Sequence, residues 1–281
     1  MECDVFEIAP RLTRFTLYHG AGSVAAVPWG QIQRFYYHNS GEYDLARLLV
    51  LLGHNFPSHA KCSFFIRALL PVGSVALPSI VSNITSLRLT IEDPYHFNLL
   101  GRIFERLTLP FGKALSLGRS RSGNLPLEWD QPHFIAFAFR SGLHATLHKL
   151  EIARTTITDA ELLAALSVLP SLIELIVKEC DTPTPHIVIT DRLLGRLTWT
   201  PDSSTCLVRR LNLLSLTSVL EFTDNVYRNF VDSRLVPARW NGELFLARVR
   251  SLPNRSRNLS DELVDWGNAL DVAREMYFYA E

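Results

Sequence analysis

Six residues, Leu172-Ile-Glu-Leu175-Ile-Val177, constrain the fold of this chain more than any other feature, because their pattern returns along most of its length. The template is an apolar residue, two variable positions, a second apolar residue, one variable position and a third apolar residue. It recurs as Leu12-Thr-Arg-Phe15-Thr-Leu17, Ile32-Gln-Arg-Phe35-Tyr-Tyr37, Ile84-Thr-Ser-Leu87-Arg-Leu89, Leu147-His-Lys-Leu150-Glu-Ile152 and Val208-Arg-Arg-Leu211-Asn-Leu213. Shorter copies are Cys62-Ser-Phe64, Leu115-Ser-Leu117 and Leu246-Ala-Arg-Val249. With the second apolar residue as anchor, the anchors are Phe15, Phe35, Cys62, Leu87, Leu115, Leu150, Leu175, Leu211 and Val249. Alternation of apolar and variable residues is the mark of a short strand that buries one face only.

A strand-forming unit that returns every 20–29 residues is the signature of a leucine-rich repeat solenoid. Here the spacing runs from 20 residues (Phe15 to Phe35) to 38 (Leu211 to Val249), so the later units have longer return segments. The intervening segments read as helices. Thr158-Asp-Ala-Glu161 is a capping box, ahead of an apolar stripe at Leu162, Leu163, Leu166 and Leu169 that Pro170 ends. Thr190-Asp191 and Thr223-Asp224 are similar starts, and residues 44–52, 95–107 and 132–140 carry further helical patterns. The expectation is therefore an α/β fold: a right-handed curved array with parallel strands on its concave face and helices on its convex face. Residues 1–259 would form about nine irregular repeats. Residues 260–281 would form a terminal helix that caps the open core or docks on a partner. Residues 117–131 and 252–259 read as loops.

Composition narrows the setting. The chain has 28 basic and 28 acidic residues, so there is no global pull toward nucleic acid or anionic lipid. Cys3, Cys62, Cys180 and Cys206 are scattered without a C-x-x-C pair, which suits a reducing compartment and excludes a disulfide framework. Glu2, Asp4 and Glu7 occupy the place where a signal peptide would be basic, and no apolar run approaches the ~20 residues of a membrane span. A cytoplasmic or nuclear protein is expected, with the sequons at Asn83, Asn254 and Asn258 unused.

The variable positions of each strand point away from the core and form columns across neighbouring strands. The column before the anchors reads Arg14, Arg34, Lys61, Ser86, Ala114, Lys149, Glu174, Arg210 and Arg248. The column after them contains Tyr36, Arg88 and Asn212, with Tyr18 and His38 nearby. Cations beside aromatic rings suit an acidic or phosphorylated peptide. Glu174, the one acid in its column, would bias partner choice. Exposed lysine and arginine also keep a sheet face solvated, which is the alternative reading of the same column.

Motifs for chemistry are absent or incomplete. His144 and His148 have helical metal spacing but run into a strand, so no metal is expected. Gly20-Ala-Gly22 lacks the third glycine of a dinucleotide loop. Gly118-Arg-Ser120 has no nucleophile-elbow context. No cofactor and no enzymatic activity are expected.

With this register in place, several stretches resemble the leucine-rich repeat region of fungal (mushroom-type) F-box-like proteins. They are Phe6-Glu-Ile-Ala-Pro-Arg-Leu12, Val27-Pro-Trp-Gly-Gln-Ile32, Leu77-Pro-Ser-Ile80 with Leu87-Arg-Leu89, Phe134-Ile-Ala-Phe137 with Arg140-Ser141, Leu169-Pro-Ser-Leu172 and Val231-Asp-Ser-Arg234. The resemblance implies a protein-interaction module that selects substrates for a ubiquitin ligase. Its members also carry an F-box that docks on the ligase adaptor, and no such module is legible here. The chain could therefore serve as a repeat-only scaffold or be a truncated fragment; an RNA-binding surface is a third alternative.

Overall fold

The computed structural model describes residues 9, 11–18, 27–70, 77–93, 98–120, 126–180, 187–200, 206–218, 221–235 and 245–251. The chain divides into two compact units, Met1–Leu147 and His148–Glu281. Both are α/β, and in both the strands run parallel.

The first unit pairs β1 (Arg14–Tyr18), β2 (Arg34–Asp44), β3 (Lys61–Leu70), β5 (Ser86–Asp93) and β7 (Ala114–Arg119) side by side in that order. A second, two-stranded ladder joins β4 (Ile80–Val81) to β6 (Leu107–Thr108). Three helices, α1 (Leu45–Leu52), α2 (Leu99–Arg106) and α3 (Gln131–Arg140), supply the return segments, and the one-turn α4 (Leu143–Thr146) follows. Phe35, Tyr37, Cys62, Phe64, Leu87, Leu89, Leu115 and Leu117 are buried, and so are Leu48, Leu52, Ile103, Phe104, Phe134 and Phe137 from the helices. The strand anchors and the apolar helix stripes therefore share one core. At the amino-terminal end this core is aromatic: Phe35 meets the rings of Phe15, Trp29, Tyr37, Phe56 and Phe64 with centroids 5.2–6.5 Å apart.

The second unit repeats the arrangement with β8 (Lys149–Ala153), β9 (Glu174–Lys178), β10 (Leu213–Ser218) and β11 (Leu246–Ser251). Its helices are α5 (Asp159–Ser167), α6 (Asp191–Leu197) and α7 (Asp224–Leu235). The capping box at Thr158 forms as the sequence suggests: Glu161 N–H donates to the Thr158 hydroxyl and Thr158 N–H donates to the Glu161 carboxylate. The Thr-Asp starts also do something not legible from one helix at a time. The Thr190 hydroxyl, which caps α6, donates to Asp159 at the start of α5 (2.8 Å). Thr223, just before α7, donates its N–H to Asp191 at the start of α6 (2.6 Å). Each aspartate thus offers negative charge to its own helix start and accepts a bond from the next one.

A comparable link in the first unit joins α2 to α3. Asn98 N–H donates to the Glu128 carboxylate at 2.6 Å, and Asp130 caps α3 by accepting from His133 N–H. Gly101 sits under this junction, where a Cβ would lie 1.9 Å from Asn98 Oδ1 and 2.3 Å from Asp130 Oδ2. A larger residue there would have to displace the Asn98 or Asp130 side chain.

A shared hydrogen-bond device sets the strand register. Gln33 and Arg34 N–H both donate to the Thr13 carbonyl, and Thr85 and Ser86 both donate to Ala60. Lys113 and Ala114 use Thr85, Ile173 and Glu174 use His148, and Asn212 and Leu213 use Ile173. The last pair corrects the expected register. The anchor of β10 is Leu214, not Leu211, and its repeat reads Leu211-Asn-Leu-Leu214-Ser-Leu216. Val208 instead accepts a turn bond from Leu211 N–H, the place that Trp29 and Leu169 hold before β2 and β9. In β11, Ala247 pairs with Leu214 and is the anchor, so Val249 is the third apolar residue.

Arg140 and Arg234 occupy matching places near the ends of α3 and α7. Arg140 donates to the carbonyls of Phe104 and Leu107, the latter at 2.8 Å, closing the carboxyl end of α2. Arg234 is wholly buried and donates to Leu197 O at the end of α6 (3.0 Å) and to Val208 O (3.2 Å). Burial lowers its pKa to about 10, which still leaves it charged at neutral pH, and the neighbouring Cys206 works the other way. Two of the stretches quoted for the family resemblance thus contain an arginine whose place in the fold is structural.

Other expectations meet mixed outcomes. Gly118 and Arg119, read from the sequence as loop, close strand β7, and Arg119 is buried with its Nε donating to Glu92 O. The helix expected over 95–107 begins at Leu99 among the described residues. The basic segment 252–259 and the terminal helix 260–281 lie outside the described residues, as does Cys3. Among the described residues, no helix is long and apolar enough to cross a membrane.

Candidate interaction surface

The strands of the first unit leave one face outward, and their register orders it into three rows. Arg14, Arg34 and Lys61 are direct cross-strand neighbours in the first row, followed by Ser86 and Ala114. All three cations are exposed, and no acid among the described residues forms an ion pair with any of them. Like charges placed directly opposite each other on a sheet are destabilising. Among the described residues, no acid offsets that cost in the row.

The second row holds Thr16, Tyr36, Ser63, Arg88 and Ser116. Tyr36 is 46% exposed, on the opposite face of β2 from the buried Phe35 and Tyr37. The third row begins with Tyr18, His38 and Phe65. The His38 ring stacks on Phe65 (centroids 4.6 Å apart, planes 3° apart), and Tyr18, 64% exposed, tilts over His38 at 5.8 Å. An apolar shelf therefore lies four residues along the strands from the cations. Phe65 was not singled out in the sequence, although strict alternation after the buried Phe64 turns it outward.

The second unit distributes charge differently. Lys149 and Glu174 are cross-strand neighbours joined by a 2.5 Å ion pair, and Lys178 pairs with Glu151 at 2.6 Å. Glu174 is thus engaged by its own sheet, which removes the ground for treating it as the selector of partners. The corrected register also dissolves the rest of the expected basic column. Leu213 and Leu246 fill the places assigned to Arg210 and Arg248. Arg210 lies exposed in the turn before β10, and Asn212 precedes the strand with its N–H on Ile173 O. Arg248 stands outward one row further along, beside Ser215. Of the ten expected residues, Arg14, Arg34, Lys61, Tyr36 and Arg88 share one face of the first unit. Lys149 and Glu174 pair in the second, and Arg210, Asn212 and Arg248 are displaced from their columns.

The described thiols are withdrawn from these faces. Cys62, Cys180 and Cys206 are buried, and burial pushes the Cys62 thiol well above the usual range. Among the described residues, no three His, Cys, Asp or Glu side chains group so as to hold a metal ion. What the first unit presents is charge, aromatic area and exposed hydroxyls on rigid strands. No family model matches the chain, and no curated protein matches it.

Proposed function

We propose that the chain is a protein-interaction module, built as a leucine-rich repeat solenoid, which holds a protein partner against the outward face of β1, β2, β3 and β5. The observation that carries this reading is the row Arg14–Arg34–Lys61: three exposed cations in direct register with no ion-pair partner among the described residues. A partner's acidic groups would offset the repulsion within the row and gain orientation from it. The adjoining rings supply contact area at low conformational cost, as aromatic residues do at interfaces. The resemblance to F-box-associated repeats extends the proposal to substrate selection for a ubiquitin ligase. Adaptor recruitment would then depend on an F-box outside residues 1–281.

The test is quantitative capture with the variant Arg14→Glu/Arg34→Glu, using Arg210→Glu as a control of equal kind outside the row. Reversal of two adjacent charges should lower partner recovery at least ~10-fold, the equivalent of about 1.4 kcal/mol. Arg210→Glu should leave recovery unchanged. Equal recovery by the double variant and the wild type would remove the row from the interface.

A further inference from the structure

We infer that the Arg14–Arg34–Lys61 row seats a single phosphate group, so that the partner segment is phosphorylated, with an apolar side chain about four residues from the phosphorylated one. This rests on the protein-binding reading above and adds the chemistry of the ligand. The argument begins with direction. The cations form a line across three strands, spanning roughly 10 Å at the ~4.8 Å strand spacing. The Tyr18–His38–Phe65 shelf lies further along the same strands, four residues from the cations in each, or about 13 Å.

A peptide that touches both rows must run along the strands, so it crosses the cation line once and presents one side chain there. A carboxylate brings one negative charge to three cations. A phosphate brings nearly two, with three acceptor oxygens that guanidinium groups on adjacent strands can grip from either side. Tyr36 stands between the two rows, and its exposed hydroxyl offers a polar contact to the intervening backbone.

Nucleic acid also carries phosphate, but the whole chain has no net positive charge to track a phosphate backbone, which favours a peptide.

The experiment uses the full chain and an immobilised library of degenerate nonapeptides with a fixed central phosphoserine, phosphothreonine or phosphotyrosine, beside matched unphosphorylated and glutamate-centred libraries. A poly(U) oligonucleotide forms a fourth arm. At least one phosphorylated library should be retained ~10-fold more than the unphosphorylated and glutamate libraries, with leucine, isoleucine or phenylalanine enriched four residues from the centre. Arg14→Ala/Arg34→Ala should abolish that preference, while Arg210→Ala keeps it and controls for folding. Equal retention of all peptide libraries, a preference that survives the double substitution, or stronger retention of poly(U) overturns the inference. Capture before and after phosphatase treatment of the partner source separates the two levels. Undiminished recovery after phosphatase overturns the phosphate seat but leaves protein binding standing, and no recovery under either condition overturns both.

Discussion

Phe35→Ala is expected to destabilise the first unit by about 4 kcal/mol, the middle of the range for truncation of a buried aromatic residue. The side chain is fully buried and touches five other rings, those of Phe15, Trp29, Tyr37, Phe56 and Phe64. Lost transfer energy, the cavity left behind and the edge-to-face geometry with Trp29 and Phe64 all act in the same direction. The neighbouring substitution Tyr36→Ala should change stability by no more than ~0.5 kcal/mol, since that ring stands on the outward face. Urea unfolding, followed by hydrogen exchange of β2 and β3 amides, measures both. Comparable losses for the two variants would mean that the alternation assigned to β2 is wrong, and with it the outward rows.

Arg234→Leu should destabilise the second unit by about 3 kcal/mol. The loss of charge is not the main term. The buried Leu197 carbonyl loses both of its guanidinium donors, at a cost of ~1–3 kcal/mol, and Val208 O loses one donor while keeping the Leu211 N–H. The carboxyl end of α6 also loses the cation that complements its dipole. Relief of the guanidinium's own burial offsets part of this, which keeps the total near 3. Arg234→Lys should recover only a fraction, because an ammonium is a point donor and cannot reach both carbonyls in a fork. Thermal and urea denaturation test the series. An Arg234→Leu variant as stable as the wild type would contradict the capping role.

These two residues mark how far the sequence can be read. Phe35 was legible, because a strand template needs only local periodicity, and so were the helix starts at Thr158, Thr190 and Thr223. Arg234 was visible as part of a stretch resembling a family, yet its task was hidden. The carbonyls that it serves belong to an earlier helix and a turn, and only the fold brings them within reach. The register slip at β10 has a different cause. Leu211, Leu213, Leu214 and Leu216 satisfy the template in two phases, and the choice is made by backbone bonds from Asn212 and Leu213 to Ile173 O. That slip carried Arg210 and Asn212 into columns that they do not occupy. The Lys149–Glu174 pair was within reach of the sequence, since opposite charges in adjacent places of one column are natural cross-strand partners.

The candidate surface changes accordingly. A stripe along the whole array becomes a patch of the first unit, where cations in register have no ion-pair partner among the described residues, while Lys149 and Lys178 of the second unit pair with Glu174 and Glu151. The measurement that tests this most directly places a photo-cross-linking amino acid at Tyr36 in one preparation and at Ser215, in the corresponding outward row of the second unit, in another. The account predicts a partner adduct from position 36 that disappears with Arg14→Glu/Arg34→Glu, and none from position 215. An adduct at 215 with none at 36 would contradict it.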